Sequence, residues 1–281
     1  MSIEHYENFP VASVLCPPAL RPAVTAIYGF ARTADDIADE GDAPGTERRA
    51  RLDAYEHALL ESAAGRSTGT WPEVFAPLAR QIEAHRLPLA PLRDLLSAFR
   101  QDTHNPLYPD RAALLDYCAR SANPIGRLLL HLCAIDDREA LAQSDAICSA
   151  LQLINFWQDL SIDLPRGRCY VTQADAARHG LDITASAHDS DASRALACDS
   201  DASRALACEL CTWARDLMQQ GLPLVHRLPG RFGWELRFVV QGGLRVLDKI
   251  EARGCNALTH RPTIGAADAP LLVWRALRSC R

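Results

Sequence analysis

The chain has no apolar run approaching the roughly 18–20 residues that a membrane-spanning helix requires. Even the leucines at 128–132 are interrupted by His131 and preceded by Arg127. Strand signals are equally scarce, because short β-branched alternating runs bounded by turn residues do not recur. There is no excess of basic residues either: the formal net charge is −5, which removes the electrostatic footprint of a nucleic-acid binder. An anionic ligand then has to be bound locally or through a metal. The opening residues MSIEHYENFP carry two Glu and no basic stretch, so no secretion signal is expected and a cytoplasmic location is the expectation. No GxGxxG follows a strand, so no Rossmann-type nucleotide site is visible. Of ten cysteines, only Cys208 and Cys211 form a CxxC pair. That pair has no second pair and no nearby His, which argues against a zinc or redox centre. The cysteines are therefore expected to be reduced core residues.

What is present is helical periodicity. Apolar residues recur at three- and four-residue spacing over 20–39, 46–64, 71–84, 89–102, 111–134, 139–162, 192–228 and 232–252, which predicts helices there. Pro and Gly fall between these stretches, as in Pro17-Pro18, Pro44-Gly45 and Pro229-Gly230, and mark turns. The expectation is one all-α domain over 1–281, a helical bundle around a central apolar pocket. Pro22 falls in a first turn, where a missing N–H costs little. Pro124 falls mid-helix and should kink or break it. An identical decapeptide, DSDASRALAC, occurs at 189–198 and again at 199–208. Ten residues fall about 80° short of three helical turns, so the two copies cannot share one face of a straight helix. The second copy is expected to enter the helix leading to Trp213, with the first at its exposed start.

Two acidic motifs carry the chemistry. In YGFARTADDIADE, at 28–40, Asp35 and Asp39 are four residues apart. On a helix their Cβ atoms lie roughly 6 Å from each other, a like-charge spacing that costs stability unless a cation offsets it. In QLINFWQDLSID, at 152–163, Asn155, Asp159 and Asp163 form an oxygen-bearing stripe on an otherwise apolar helix, which a solvated surface face explains poorly. Mg²⁺ prefers oxygen ligands and is typically held by one or two carboxylates plus substrate phosphates. Two such stripes facing each other across a pocket suit the ionisation of an allylic diphosphate. Arg166-Gly167-Arg168-Cys169-Tyr170 follows as a turn able to bring guanidinium groups to phosphate oxygens.

These motifs resemble the two aspartate regions and the Arg/Tyr turn of the squalene/phytoene synthase family. The resemblance extends from Asn8 to about Leu277. Residues 8–13, 121–126, Val239-Val240-Gln241-Gly242-Gly243 and Arg261-Pro262 are similar to the branch that serves bacterial hopanoid synthesis. The resemblance implies the isoprenoid-synthase helical fold with Mg²⁺ as cofactor. It also implies conversion of presqualene diphosphate and water to hydroxysqualene and diphosphate. Asp35, Asp36 and Asp39 would form the first metal cluster, and Asn155, Asp159 and Asp163 the second. Arg32, Arg166, Arg168 and Tyr170 become diphosphate contacts, and Tyr28 and Gln152 further substrate contacts. Ile162 stands where many members have Glu. Cys255 stands where an aromatic residue is expected, so the C-terminal segment is assigned no contact.

Within the family, head-to-head condensation of two farnesyl diphosphates is the alternative reaction, because it needs the same aspartates. A non-catalytic helical binding protein is a third reading, opposed by the presence of Asp35, Asp39, Asp159 and Asp163. Asn123, beside the Pro124 break, is a candidate for holding the water that ends the reaction. Expected partners are the isoprenoid diphosphate and other enzymes of squalene and hopanoid synthesis. Peripheral contact with the inner face of the membrane is also expected, since such a substrate is nearly water-insoluble and no spanning segment exists. Nucleic acid is not an expected partner.

Overall fold

In the computed structural model of the chain, the described residues are 15–66, 69–183, 200–255 and 261–278. They form eleven α-helices and no strand, in keeping with the all-α expectation. In chain order these are α1 (Arg21–Asp39), α2 (Gly45–Ala63), α3 (Pro72–His85), α4 (Leu89–Asp102), α5 (Arg111–Ser121), α6 (Asn123–Leu132), α7 (Arg138–Asp163), α8 (Gln173–Arg178), α9 (Asp201–Gly221), α10 (Gly230–Ala252) and α11 (Ala269–Arg278).

The stretch read as one helix over 111–134 is two. Pro124 has no N–H to continue the ladder, and the chain turns at Ala122 between α5 and α6. Helices α8 and α11 lie outside every stretch read from the sequence; at six and ten residues they are too short for a clear apolar period. The stretch 192–228 ends its α-helical part at Gly221 and continues as a 3₁₀ turn, Leu222–His226. Its first residues, the first decapeptide copy and residues 8–13 lie outside the described residues. The second copy does start a core helix: Ser200 caps α9 by accepting from the Ser203 N–H at 3.1 Å, and Leu206 and Ala207 are buried before Trp213 is reached.

Two hydrophobic clusters are stitched together by α6. One gathers Ile27, Phe30, Tyr55, Phe75, Leu78 and Leu92 from α1 to α4, with Phe30 and Tyr55 stacked at 5.2 Å between ring centroids. The other surrounds α7, where Leu153, Ile154, Phe156, Trp157 and Leu160 are buried against α9 and α10. Leu128 of α6 belongs to the first cluster, and Leu129 and Leu130 to the second. Because α7 is walled by apolar neighbours on most of its circumference, its polar stripe has only one direction left to face.

One expectation is corrected. Cys208 and Cys255 form a disulfide with a Cα separation of 5.5 Å, so not all cysteines are reduced thiols. The start of α9 and the residues just after α10 meet in space although they are 47 residues apart in sequence, and no local spacing reveals that. Cys211 remains a buried free thiol, so the CxxC spacing has no role as a pair.

The α7–α9 crossing depends on a missing side chain. A Cβ on Gly221, at the end of α9, would collide with Ile147 and with the backbone carbonyl of Gln143 on α7. Helix propensity alone favours Ala over Gly by about 1 kcal/mol, but overpacking against a backbone atom costs about 1–3 kcal/mol. Gly221→Ala is therefore expected to lower the unfolding free energy, whereas Gly29→Ala in α1, where nothing lies within 4 Å, raises it by about 0.5–1 kcal/mol. Denaturant titration of both variants checks the opposite signs.

Candidate active site

Helix α1 buries Ala23, Ile27, Phe30, Ala34 and Ile37 along one face, and this leaves Arg32, Asp35, Asp36 and Asp39 on the other. The three carboxylates sit in the last two turns, where the helix dipole is already negative and no basic residue occupies the final turn. That placement is unfavourable without outside cations. Arg32 supplies one, reaching Asp36 at 2.6 Å and Asp35 at 3.3 Å.

Helix α7 repeats the arrangement. Asp159 and Asp163 occupy its C-terminal end, and the chain leaves it through Leu164–Arg166 and a left-handed Gly167 at φ 73°. Only glycine takes that conformation freely, and the turn sends Arg168 back across the cavity to Asp39 of α1 at 2.6 Å. Tyr170 lies flat on Phe156, with centroids 3.7 Å apart and planes within 6°. The negative ends of two long helices thus open on one cavity of about 940 Å³.

Of the residues selected from sequence, Arg32, Asp35, Asp36, Asp39, Gln152, Asn155, Asp159, Asp163, Arg166, Arg168 and Tyr170 all line this cavity. Ile162 lines it too, an apolar patch among acids. Tyr28 and Asn123 are not among its lining residues. Asn123 is buried at the start of α6, and its Oδ1 accepts from Ser149 Oγ of α7 at 3.0 Å.

Three wall residues have no local signal in the sequence. Asp102 ends α4 and accepts from the Tyr117 hydroxyl of α5 at 2.9 Å; both line the cavity. Arg261 is the third, and it corrects the expectation that the C-terminal segment makes no contact. Its guanidinium forms a two-pronged pair with Asp159, with Nη2 at 3.2 Å from Oδ2. The buried Gln158 holds the segment there by donating to the Pro262 carbonyl. A residue about a hundred positions from its partner is invisible to any reading of helix periods.

The electrostatics follow from crowding. Asp35 is pushed up to about 7 by burial and then by Asp39, with Arg32 pulling the other way. Asp102 is likewise raised to about 7, chiefly by burial, although the Tyr117 hydrogen bond opposes the rise. Asp163 rises to about 6 through burial and the neighbouring Asp159. Among the described residues no three acids converge tightly enough to hold an ion unaided. An all-oxygen donor set spread over two helix ends nevertheless fits Mg²⁺, which takes one or two carboxylates and completes its shell with water and phosphate. Asp35, Asp36 and Asp39 on one side, and Asn155, Asp159 and Asp163 on the other, are the residues that would hold it.

Comparison with known proteins bears on the same region. The model of the squalene/phytoene synthase family matches residues 3–268. A hydroxysqualene synthase of Zymomonas mobilis subsp. mobilis is 41% identical over 160 residues, 56% of this chain and 51% of that protein, so the match spans about half the relative's length. A hydroxysqualene synthase of Sinorhizobium fredii is 31% identical over 87% of this chain and 78% of its own. The crystal structure of a squalene synthase, HpnC, from Alicyclobacillus acidocaldarius superposes with a TM-score of 0.79 at 36% identity, covering 90% of each chain.

The crowded carboxyls set a pH dependence. Asp35, Asp102 and Asp163 bind protons more tightly folded than unfolded. Their contribution to stability is complete below the usual carboxylate range and is lost as pH rises through about 6 to 7. Glu209, lowered to about 2 by His179 and the arginines beside it, works in the opposite sense only at lower pH. The melting temperature of the metal-free protein should therefore fall from pH 5 to pH 8, and Asp102→Asn should flatten that slope. Mg²⁺ with inorganic diphosphate should raise the melting temperature more at pH 8 than at pH 5.

Proposed function

Because the chain belongs to the squalene/phytoene synthase family, we propose that it converts presqualene diphosphate and water to hydroxysqualene and diphosphate. The observation that carries the reading is the pairing of two carboxylate-bearing helix ends with three guanidinium groups, Arg32, Arg168 and Arg261, across one cavity. Such a site has no use for a neutral ligand. Its acids repel one another, and its arginines are held by acids that a cation would occupy instead.

Bound Mg²⁺ would supply the positive charge against which the diphosphate leaves. The chain's own residues do the rest. With the carboxylates engaged by a cation, Arg168 and Arg261 would turn their planar forks to phosphate oxygens, with Arg32 adding positive charge from α1. Tyr170, Phe156 and Tyr117 line the same cavity, and the negative quadrupoles of aromatic rings would favour a cation forming beside them.

Ser144 and Cys148 of α7 line a second, apolar cavity of about 40 Å³ with Leu129, Ile147, Phe232 and Val239. They precede Gln152, Asn155 and Asp159 at four- and three-residue spacing, so both cavities open on one face of the same helix. An isoprenoid chain lying along α7 with its diphosphate at the acidic end would have to widen this small apolar cavity. Terminating the reaction with water requires that water be admitted at one point of an otherwise dry region. Asn123, its Oδ1 committed to Ser149, keeps an amide donor for that role at the α5–α6 break.

Purified protein incubated with Mg²⁺ and presqualene diphosphate should yield hydroxysqualene by gas chromatography–mass spectrometry. Release of diphosphate only from farnesyl diphosphate would sink this reading in favour of the condensation reaction. Asp35→Asn should cut turnover by roughly two to four orders of magnitude with little loss of stability, since it relieves a self-repulsive site, and Asp159→Asn should cut it as far while also weakening the Arg261 pair. Asn123→Ala should keep diphosphate release while shifting product from the alcohol to alkenes; an unchanged product mixture would remove Asn123 from the mechanism.

A further inference from the structure

The described residues expose four large hydrophobic side chains, and three of them lie on the short helix α11: Val273 at 45%, Trp274 at 50% and Leu277 at 55%. At positions i, i+1 and i+4 they form a single stripe, which the exposed Pro270 extends by one turn. Ala276, off the stripe, is buried, and α11 packs along α10. The helix carries two basic residues and no acid. Arg278 lies over the Trp274 ring at 4.2 Å, so a cationic group borders the apolar face.

Beside this helix is a basic hollow. Arg245 and Lys249 on α10 and Arg253 just past its end follow one another at four-residue spacing and, with Arg261, line a cavity of about 560 Å³. Its rim includes Gly265, Ala267 and Asp268, the residues that lead directly into α11. Asp268 is the one acid in this wall; it takes Arg245 at 2.8 Å and Lys249 at 2.5 Å. Arg261 is held by Asp159, so Arg245, Lys249 and Arg253 face the single carboxylate of Asp268 and leave the hollow positive in a chain whose formal net charge is −5.

An apolar stripe containing Trp, edged by Arg and set beside a positive hollow, is complementary to one kind of surface. We propose that α11 and the adjoining hollow form a docking face for an anionic phospholipid bilayer. Val273, Trp274 and Leu277 enter the boundary between headgroups and acyl chains, and a lipid phosphate sits against Arg245, Lys249 and Arg253. A second copy of this chain is a poorer occupant, because a two-fold contact sets each patch near its own copy and would bring the two positive hollows together. The inference deepens the isoprenoid reading of the active site, since a substrate of that class partitions into the bilayer. The binding itself is measured without substrate, so the two readings fail separately.

The test is co-sedimentation of the purified full chain with vesicles of phosphatidylcholine alone or mixed with phosphatidylglycerol. The wild type should bind the anionic vesicles and release as salt is raised. Trp274→Ser with Leu277→Ser should lower the partition coefficient by about tenfold or more, from the loss of two inserted side chains. Arg253→Gln, an exposed site, should lower it roughly fivefold and leave the circular dichroism spectrum unchanged, which covers the case of a misfolded double variant. Wild type that ignores anionic vesicles at low salt, or variants that bind as well as wild type, would overturn the proposal. So would a concentration-dependent dimer that the double variant abolishes without any vesicle binding, because the face would then belong to a second copy.

Discussion

Two helices that end in carboxylates meet head-on at one cavity, and the fold has to supply positive charge to let them do so. Helix α1 stops at Asp39 and α7 at Asp163, each bringing the negative end of its dipole to the same place. Arg32 answers from within α1, Arg168 from the turn after α7 and Arg261 from the far C-terminal segment. Burial, and after it the neighbouring acids that this answer leaves uncompensated, make Asp35, Asp102 and Asp163 retain protons well above the usual carboxylate range. Under the proposed function, a divalent cation and an anionic substrate would supply the positive charge and the ligand that such a site calls for.

The apolar architecture enforces that arrangement. Helix α7 is buried along Leu153, Ile154, Trp157 and Leu160, so it cannot rotate its aspartates toward solvent without exposing that face. Helix α1 is held by Phe30 and Ile37 in the other cluster, and the Tyr55 hydroxyl bonds the Phe30 carbonyl at 3.1 Å. Since α6 contributes leucines to both clusters, the spacing between the two acidic ends is set by packing.

The C-terminal segment closes the site by similarly specific means. Gln158, fully buried beside Asp159, holds the Pro262 carbonyl, and Lys249 holds the Thr263 carbonyl at 2.6 Å. Together these fix Arg261 between the acidic cavity and the basic hollow, both of which it lines. The disulfide between Cys208 and Cys255 anchors the end of α10 to α9 a few residues earlier. The same segment therefore completes the acidic cavity on one side and leads, through Asp268, to the apolar helix on the other.

What the sequence determined by itself was everything governed by the 3.6-residue period: the long helices, their buried faces, and the stripes at Asp35 and Asp39 and at Asn155, Asp159 and Asp163. Side chains three and four residues apart share a face whatever the rest of the chain does, so those residues could be chosen without knowing where either helix goes. The family resemblance rested on these stripes together with the Arg/Tyr turn and short segments such as 239–243 and Arg261-Pro262. Only the tertiary structure decided that Asp102, Tyr117 and Arg261 complete the cavity wall, that Cys208 meets Cys255, and that Asn123 stands off that wall with its side chain bonded to Ser149. It also decided which face of α11 remains uncovered. Each of these is a contact between segments far apart in sequence, and which segments meet is set by the packing of whole helices, a sum over many weak apolar contacts that no local spacing encodes.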